Sequence, residues 1–263
     1  MEIQQVPAAN MAAMAFALIL SVGVPAALCA FAMIRWKARF SSFIAGFVTF
    51  SAAVFFLEQI FHSLVLGFLI PSLPQHFVLY AAYAGITAAV FEECARYVTM
   101  AFFMRKPLLP ANALMYGIGH GGAEAILLVG MTNITNLTTS FMINNGQLAA
   151  NLATVDAAAK ETMIQSLSSL WTLPASQFVF GGLERIPAIA LQIALSLLVF
   201  ESGRTGKKQF FLLALAIHFL VDFITVLTAS VLPLAATEGL VLLMAAAACA
   251  VTVKLCKESL QHL

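Results

Sequence analysis

Charged residues are scarce in this sequence: they make up 10% of its 263 residues, whereas hydrophobic residues make up 62%. Soluble domains carry roughly a quarter charged residues, so the composition excludes an ordinary soluble protein and predicts an integral membrane protein. The formal net charge is only +1, and the sequence contains no long basic block. We therefore expect no nucleic-acid partner, and a chain that contacts membrane lipid instead.

Cysteine is also sparse, and the four cysteines show no CxxC spacing. They give no evidence for disulfide partners and are typical of buried thiols. The alternation of a membrane β-strand is missing as well. The apolar runs are instead long enough for helices, which satisfy their backbone hydrogen bonds internally in lipid. We predict an all-α polytopic membrane protein, a single transmembrane domain over residues 1–263.

Prolines and charged residues divide the chain into seven predicted spans. The spans cover residues 8–34, 43–70, 77–104, 110–131, 176–200, 208–230 and 234–256. Each is long enough to cross a hydrocarbon core of about 30 Å, which takes about 20 helical residues. The first run lacks the basic start of a signal peptide and is longer than the apolar core of one, so it is counted as a span.

Lysine and arginine concentrate in alternate connections, as expected of cytoplasmic loops. These basic residues are Arg35, Lys37, Arg39, Arg105, Lys106, Arg204, Lys207, Lys208, Lys254 and Lys257. The other connections contain Lys160 and no arginine. The alternation predicts an N-terminus outside and a C-terminus in the cytoplasm, with the plasma (inner) membrane as the expected location.

The segment 132–175 is the one long connection on the predicted outer side. It begins with a stretch rich in Asn and Thr and continues with an apolar-periodic stretch that ends near Trp171. Polar and apolar stretches of this kind are typical of a loop followed by helices that lie at the membrane interface. We predict a loop with one or two short interfacial helices.

Ionisable side chains inside a bilayer are costly and usually mark a protein interior or a functional site. The predicted spans contain Glu58, His62, Glu92, Glu93, Arg96, His120, Glu124, Glu184, Arg185, His218, Asp222 and the amide Gln192. Counting about 1.5 Å per residue from the cytoplasmic charges brings four helices to one depth near the middle of the membrane. The residues at this depth are Glu92, His120, Gln192, His218 and Asp222. The same count places Glu58 and His62 near the outer interface.

Three of these helices carry polar pairs at i and i+4, which lie on one helix face. The pairs are Glu92 with Arg96, His120 with Glu124, and His218 with Asp222. Their agreement in depth and direction predicts one shared polar cavity. Four glycines surround His120 in the stretch YGIGHGGAEA. They either let helices pack closely or leave room for a ligand beside the histidine.

Carboxylates beside histidines at low dielectric suit hydrolysis. A glutamate can take a proton from water, and histidines can hold that water or stabilise an oxyanion. The same residue types suit zinc, which binds histidine nitrogen and carboxylate oxygen and acidifies its bound water. The spacings HxxxE and HxxxD are less specific than HExxH, so the residues leave both a glutamate-activated and a metal-bound water open.

The order of these motifs resembles the CAAX protease and bacteriocin-processing clan of intramembrane proteases. The resemblance is carried by Glu92-Glu93 with Arg96, a histidine on the next helix and a later HxxxD, over roughly residues 80–225. GIGHGGAEA and the pair Glu184-Arg185 make the chain more similar to the YhfC branch, described as intramembrane metalloproteases. Two features depart from the pattern. Two residues separate Glu93 from Arg96, where the type II CAAX-processing endopeptidases have three, and Gln192 stands where many YhfC relatives are expected to have histidine.

The resemblance implies roles for the residues at the matching positions. Glu92 or Glu93 would activate water with the help of His120, and Arg96 would orient the two glutamates. His218 and Asp222 would form the second half of the site. A zinc version of the site would draw on His120, Glu124, His218 and Asp222. Secondary candidates are Glu124, Glu184, Arg185 and Gln192. For Glu184 and Arg185, a purely structural role is an equal alternative, in which they pair with charges on another helix.

The sequence thus predicts an intramembrane protease that hydrolyses a peptide bond in or near the bilayer, in a peptide or membrane-protein substrate. Buried Asp, Glu and His chains also serve as proton relays, so a proton- or cation-coupled transporter is the first alternative. A non-catalytic membrane binding partner that keeps the cavity for recognition is the second.

Overall fold

The computed structural model describes residues 3–104, 106, 108–261 and 263. Arg105, one of the predicted cytoplasmic charges and the reference for the depth of Glu92, lies outside these residues. Every regular element in the described part of the chain is a helix. The predicted all-α polytopic fold is therefore confirmed.

In the described part of the chain, seven helices are long and apolar enough to cross a membrane. They are α1 (Ala8–Arg35), α2 (Phe40–Leu69), α3 (Phe77–Phe103), α4 (Pro110–Asn144), α5 (Ala175–Thr205), α6 (Gln209–Ala229) and α7 (Leu234–Leu255). Prolines mark two of the starts, since Pro110 lies in the first turn of α4 and Pro233 directly precedes α7. A proline is tolerated there because the first helical N–H groups have no partner within the helix. The count of seven spans is confirmed.

The predicted end of α4 at residue 131 is wrong, because the helix continues through the Asn- and Thr-rich stretch to Asn144. The polar side chains of this stretch bond back to their own helix. Thr132 Oγ1 donates to the carbonyl of Leu128 at 2.6 Å, and Asn133 Nδ2 donates to that of Val129 at 2.9 Å. Such back-bonding satisfies Thr and Asn inside a helix, so a composition typical of a loop is compatible with helix here.

The rest of the connection between α4 and α5 contains a 3-10 turn at Leu152–Thr154 and three short α-helices, one more than the upper expectation of two. They are Gln147–Asn151, Ala157–Leu167 and Ser169–Thr172. Side-chain amides join this region to the N-terminal segment. Asn144 Nδ2 donates to the Val6 carbonyl, and Asn10 Nδ2 donates to the carbonyls of Leu170 and Leu173, each at 2.9 Å. The start of α1 and the connection between α4 and α5 are therefore packed together.

The first half of α4 is enclosed by protein on all sides, with every residue from Pro110 to Ala123 buried. A Cβ atom on Gly117 would lie 2.6 Å from the Cα of Ile193 in α5, and one on Gly119 would overlap the backbone carbonyl of Phe43 in α2. Only glycine permits these approaches. The glycines around His120 therefore pack α4 between α2 and α5, and they leave no room for a ligand there.

Several turns of the bundle are π-helical, a local widening that often occurs at functional sites. In α2 and α4 such turns cover Ala53–Glu58 and Ala125–Gly130, next to the carboxyl groups of Glu58 and Glu124. The helix α5 is also interrupted at Glu184, where a turn separates its two helical parts. These irregular turns lie beside the intramembrane carboxylates.

Candidate active site

A cavity of about 280 Å³ lies among α2, α3, α4, α5, α6 and α7. Its polar lining includes Glu58, Glu92, Glu124, Glu184, Gln192, His218 and Asp222. Apolar side chains such as Val241 and Ala245 of α7 complete the wall. Of the polar groups that the sequence placed at one depth, Glu92, Gln192, His218 and Asp222 line this cavity, whereas His120 does not.

Glu92 and His120 form the closest contact between a carboxylate and a histidine in this region, with Glu92 Oε2 2.7 Å from His120 Nε2. Glu92 lines the cavity, whereas His120 is fully buried beside it. The imidazole packs edge-on against Phe50 of α2, with 5.1 Å between ring centroids. Packing and hydrogen bond together hold the ring in one orientation against the carboxylate.

Glu93 contacts a different histidine. Its Oε1 lies 2.8 Å from His218 Nδ1 and 3.4 Å from Arg96 Nη2. The other ring nitrogen of His218, Nε2, lies 3.4 Å from Asp222 Oδ2 and 3.9 Å from Glu92 Oε2. Because a carboxylate at one ring nitrogen orients the other, Glu93 directs Nε2 of His218 toward Glu92 and Asp222.

Gln192 connects three charged residues. The sequence did not indicate this role, because it showed only that Gln192 stands where a histidine is expected. Its side-chain and backbone oxygens both accept hydrogen bonds from Arg96, the latter at 3.1 Å. Its Nε2 lies 3.4 Å from Glu92 Oε2 and 3.2 Å from Glu124 Oε2. Arg96, expected to orient both glutamates, thus contacts Glu93 directly and reaches Glu92 through Gln192.

Three of the four secondary candidates, Glu124, Glu184 and Arg185, form an ion-pair group at the cavity. Arg185 Nη1 lies 2.9 Å from Glu124 Oε1, and Arg185 Nη2 lies 2.7 Å from Glu184 Oε1. The first contact joins α4 to α5, so Arg185 does pair with a charge on another helix, as expected of an intramembrane cation. Glu124 is held by Arg185 and Gln192, one turn away from His120.

Glu58 was expected at the outer interface, and this expectation is wrong: the side chain lines the cavity and is buried. Depth counted along a helix assumes that the helix is regular and perpendicular to the membrane. The 30 residues of α2 span about 45 Å at 1.5 Å each, longer than a hydrocarbon core of about 30 Å. A depth counted from one end of α2 therefore depends on its tilt and on how far it extends beyond the core. The π turn over Ala53–Glu58 also changes which face its residues occupy. His62 remains partly exposed.

The residues can be tested for a fit to zinc. Zinc ligands converge on one point at about 2.0–2.3 Å, which sets neighbouring ligand atoms of a tetrahedral site about 3.3 Å apart. In the described part of the chain, no group of three or more His, Cys, Asp or Glu side chains is arranged to hold one ion. His120 and Glu92 instead meet at 2.7 Å, and Glu124 is paired with Arg185. The donor types suit zinc, but their positions do not fit it.

Fold and site together define a polytopic helical membrane protein with carboxylates and histidines clustered inside the membrane. A profile of the family described as YhfC intramembrane metalloprotease matches residues 18–241. The chain is also 35% identical over 195 residues to a Bacillus subtilis (strain 168) protein described as uncharacterized membrane protein YhfC, a match that covers 73% of this chain and 75% of the relative. No solved structure matches the chain. The chain belongs to the YhfC family, which confirms the resemblance carried by its motifs.

Proposed function

We propose that this protein is an intramembrane endopeptidase in which Glu92 activates the hydrolytic water. The observation that carries the proposal is the position of Glu92 Oε2 at the cavity wall, 2.7 Å from His120 Nε2 and 3.9 Å from His218 Nε2. A carboxylate that is held by a histidine and open to a cavity can take a proton from water. The description of the family as intramembrane metalloproteases supports the reaction class.

The first step assigns different work to the two residues of the Glu92–His120 pair. A water molecule in the cavity gives a proton to Glu92 while its oxygen attacks the carbonyl carbon of the substrate peptide. His120 is buried beside Glu92 and holds the carboxylate in place, so it acts as a positioning residue. No step involves a metal, because the positions of the donor atoms do not fit one.

The second half of the site stabilises the tetrahedral intermediate. Attack places negative charge on the former carbonyl oxygen, and a fixed hydrogen-bond donor aimed at that oxygen lowers the barrier. His218 lines the cavity, and with Glu93 bound at Nδ1 its Nε2 is the atom that faces Glu92 and Asp222. A proton on that nitrogen supplies the donor. Arg96 and Glu93 hold this half in place from behind.

The substrate that suits this site is a peptide or membrane protein that reaches the cavity within the bilayer. The basic connections support an N-terminus outside and a C-terminus in the cytoplasm, in the plasma (inner) membrane. In this orientation the connection between α2 and α3 and the long connection between α4 and α5 face outward. The carboxylate-rich cavity then lies inside the membrane, with Glu58 on its outer side.

The proposal is tested with purified protein in lipid vesicles. The probes are reporter peptides with an apolar segment of about 20 residues, carrying a fluorophore on one side and a quencher on the other. Cleavage is expected with the natural sequence and is expected to fall by about 10²–10⁴-fold in Glu92→Gln. Glu238→Gln is the matched control, because Glu238 is an acidic residue of α7 that does not line the cavity of Glu92.

Two outcomes would contradict the proposal. Equal cleavage by the natural sequence and by Glu92→Gln would exclude Glu92 as the base. Proton or cation flux across the same vesicles, in the absence of any cleavage, would place the chain among transporters. Specific capture of a membrane protein without cleavage or flux would indicate a binding partner instead.

A further inference from the structure

Glu58 lines the same cavity as Glu92 but takes no part in the steps described above. It lies on α2, outside the motifs that carry the family resemblance, and is only 7% exposed. A carboxyl group at this position is costly unless it is paired or shares a proton. Neighbouring residues provide Glu58 with such a partner.

A hydrogen-bonded line runs from Glu58 toward one end of α2. Glu58 Oε1 lies 3.2 Å from His62 Nε2, and His62 Nδ1 lies 2.7 Å from the Tyr83 hydroxyl on α3. Side-chain exposure rises from 9% at Glu58 to 24% at His62. His62 and Tyr83 each lie within two turns of the helix ends that flank the connection between α2 and α3. The line therefore leads from the cavity to the predicted outer side.

Every member of this line can both donate and accept a proton. If Tyr83 donates to Nδ1 of His62, then Nε2 of the same ring carries a proton toward Glu58. In the other tautomer, Nδ1 donates to Tyr83 and Nε2 accepts from a protonated Glu58. The observed distances of 2.7 and 3.2 Å are compatible with both states, so a proton can pass along the line without rearrangement of the helices.

The arginines near the cavity are engaged by other carboxylates. Arg96 contacts Glu93, and Arg185 contacts Glu124 and Glu184. The ion-pair partner that the structure gives Glu58 is His62. One proton shared between the Glu58 carboxyl group and the His62 ring leaves that pair neutral, which is the inexpensive state inside a membrane.

We propose that Glu58 is a further catalytic residue, the acid that protonates the leaving amine, and that His62 and Tyr83 return the proton to it. This inference rests on the proposed protease function. When the tetrahedral intermediate collapses, its carbon–nitrogen bond breaks and the nitrogen takes the proton of the Glu58 carboxyl group. Before this transfer the acid proton of Glu58 is on Oε2, and Oε1 accepts a hydrogen bond from His62 Nε2–H. Glu58 then takes that Nε2 proton on Oε1, while His62 Nδ1 receives a proton from Tyr83, which solvent resupplies. His62 returns to its Nε2–H tautomer by exchanging protons with solvent, to which it is partly exposed. The proton that water gave to Glu92 returns to solvent, so one proton enters and one leaves in each turnover.

A comparison of amide and ester substrates distinguishes general acid catalysis by Glu58 from a structural role. The alcohol released from an ester needs less protonation by an acid than the amine released from an amide. The probes are a reporter peptide cleaved by the natural sequence and its counterpart with an ester at the cleaved bond. Glu58→Gln is expected to lower amide turnover by about 10²–10⁴-fold, the usual contribution of general acid catalysis, and ester turnover by less than about tenfold. Glu238→Gln should leave both rates unchanged. Equal losses on the two substrates would overturn the assignment.

Infrared spectroscopy tests the proton line without a substrate. Protonated carboxyl groups have their own carbonyl stretching band, and its shift in D2O reports proton exchange. We expect Glu58→Gln to remove one such band, and Tyr83→Phe, which keeps the ring and removes the hydroxyl group, to slow its exchange. A spectrum unchanged in Glu58→Gln would overturn the assignment. If no reporter is cleaved but the band behaves as expected, the protease proposal fails and the proton line stands.

Discussion

Glu92 and Glu93 are neighbours in the chain, yet they bind different histidines on different helices: Glu92 contacts His120 of α4 at 2.7 Å, and Glu93 contacts His218 of α6 at 2.8 Å. Successive residues of an α-helix point about 100° apart, so adjacent side chains of α3 reach two partner helices at once. Glu92 lines the cavity, and Glu93 is fully buried. This division favours Glu92 as the base and Glu93 as the group that positions His218.

The two glutamates should respond differently to the same change. Glu92→Gln is expected to lower hydrolysis by about 10²–10⁴-fold, because an amide cannot accept a proton from water. It should leave the thermal stability nearly unchanged. Glu93→Gln removes the charge partner of the buried Arg96 and should destabilise the protein by about 3–5 kcal/mol. Reporter cleavage and thermal unfolding in vesicles measure the two effects. Identical activity and stability profiles for both variants would contradict the division of roles.

Metal removal is expected to leave hydrolysis unchanged. The donor atoms do not converge on one point in the described residues, and His120 and Glu92 meet at hydrogen-bond distance. Activity should therefore persist after dialysis against a chelator, and elemental analysis of an active preparation should find no stoichiometric metal. His120→Ala serves as the comparison, since it should lose activity without any change in metal content. Activity lost on chelation and restored by zinc would contradict the glutamate mechanism.

Gln192 should matter more than a neutral side chain usually does. Gln192→Leu removes an acceptor from Arg96 and a donor from Glu92 and Glu124. Each buried polar group left without a partner costs about 1–3 kcal/mol, and Glu92 is also less firmly held, so both stability and turnover should fall. Gln177→Leu, at an exposed position of the same helix, is the matched control. Equal effects of the two substitutions would contradict a central role for Gln192.

The glycines of α4 should tolerate no side chain where the helix backbones touch. Gly119→Ala places a methyl group against the carbonyl of Phe43 in α2, and overpacking of this kind costs about 1–3 kcal/mol. It should also displace His120 from Glu92 and lower turnover. Gly181→Ala in α5 is the control, because nothing lies within 4 Å of the added atom. That change should be neutral or stabilise the helix by up to about 1 kcal/mol. Unfolding temperatures that are equal for both variants would show that the close approach is absent.

The sequence predicted the membrane helices well because apolar length is a direct physical requirement for crossing a bilayer. It failed at the end of α4, where Thr132 and Asn133 bond to their own helix, since composition does not tell a helix with back-bonded side chains from a loop. Depth counting brought Glu92, His120 and His218 together, because these residues lie at similar distances from the ends of their helices. It failed for Glu58, whose helix is longer than a hydrocarbon core of about 30 Å and contains π turns.

Other parts of the site could not be derived from spacing. Which of Glu92 and Glu93 acts as the base depends on which helices lie on either side of α3. The pattern EExxR contains no information about those neighbours. The links from Gln192 to Arg96 and Glu124 depend on how α5 is rotated against α3 and α4. A stronger signal was available for Glu58: its i,i+4 spacing to His62 matches the spacing that was informative on the other three helices.

The enclosure of His120 between α2 and α5 has a consequence for biosynthesis. When α4 first enters the membrane, only helices made before it are present to cover its glycine-lined faces. The surface formed by Gly117 and Gly121 stays open until α5 has been synthesised, and His218 arrives later still with α6. The site is therefore completed late, after most of the helices of the bundle have been synthesised.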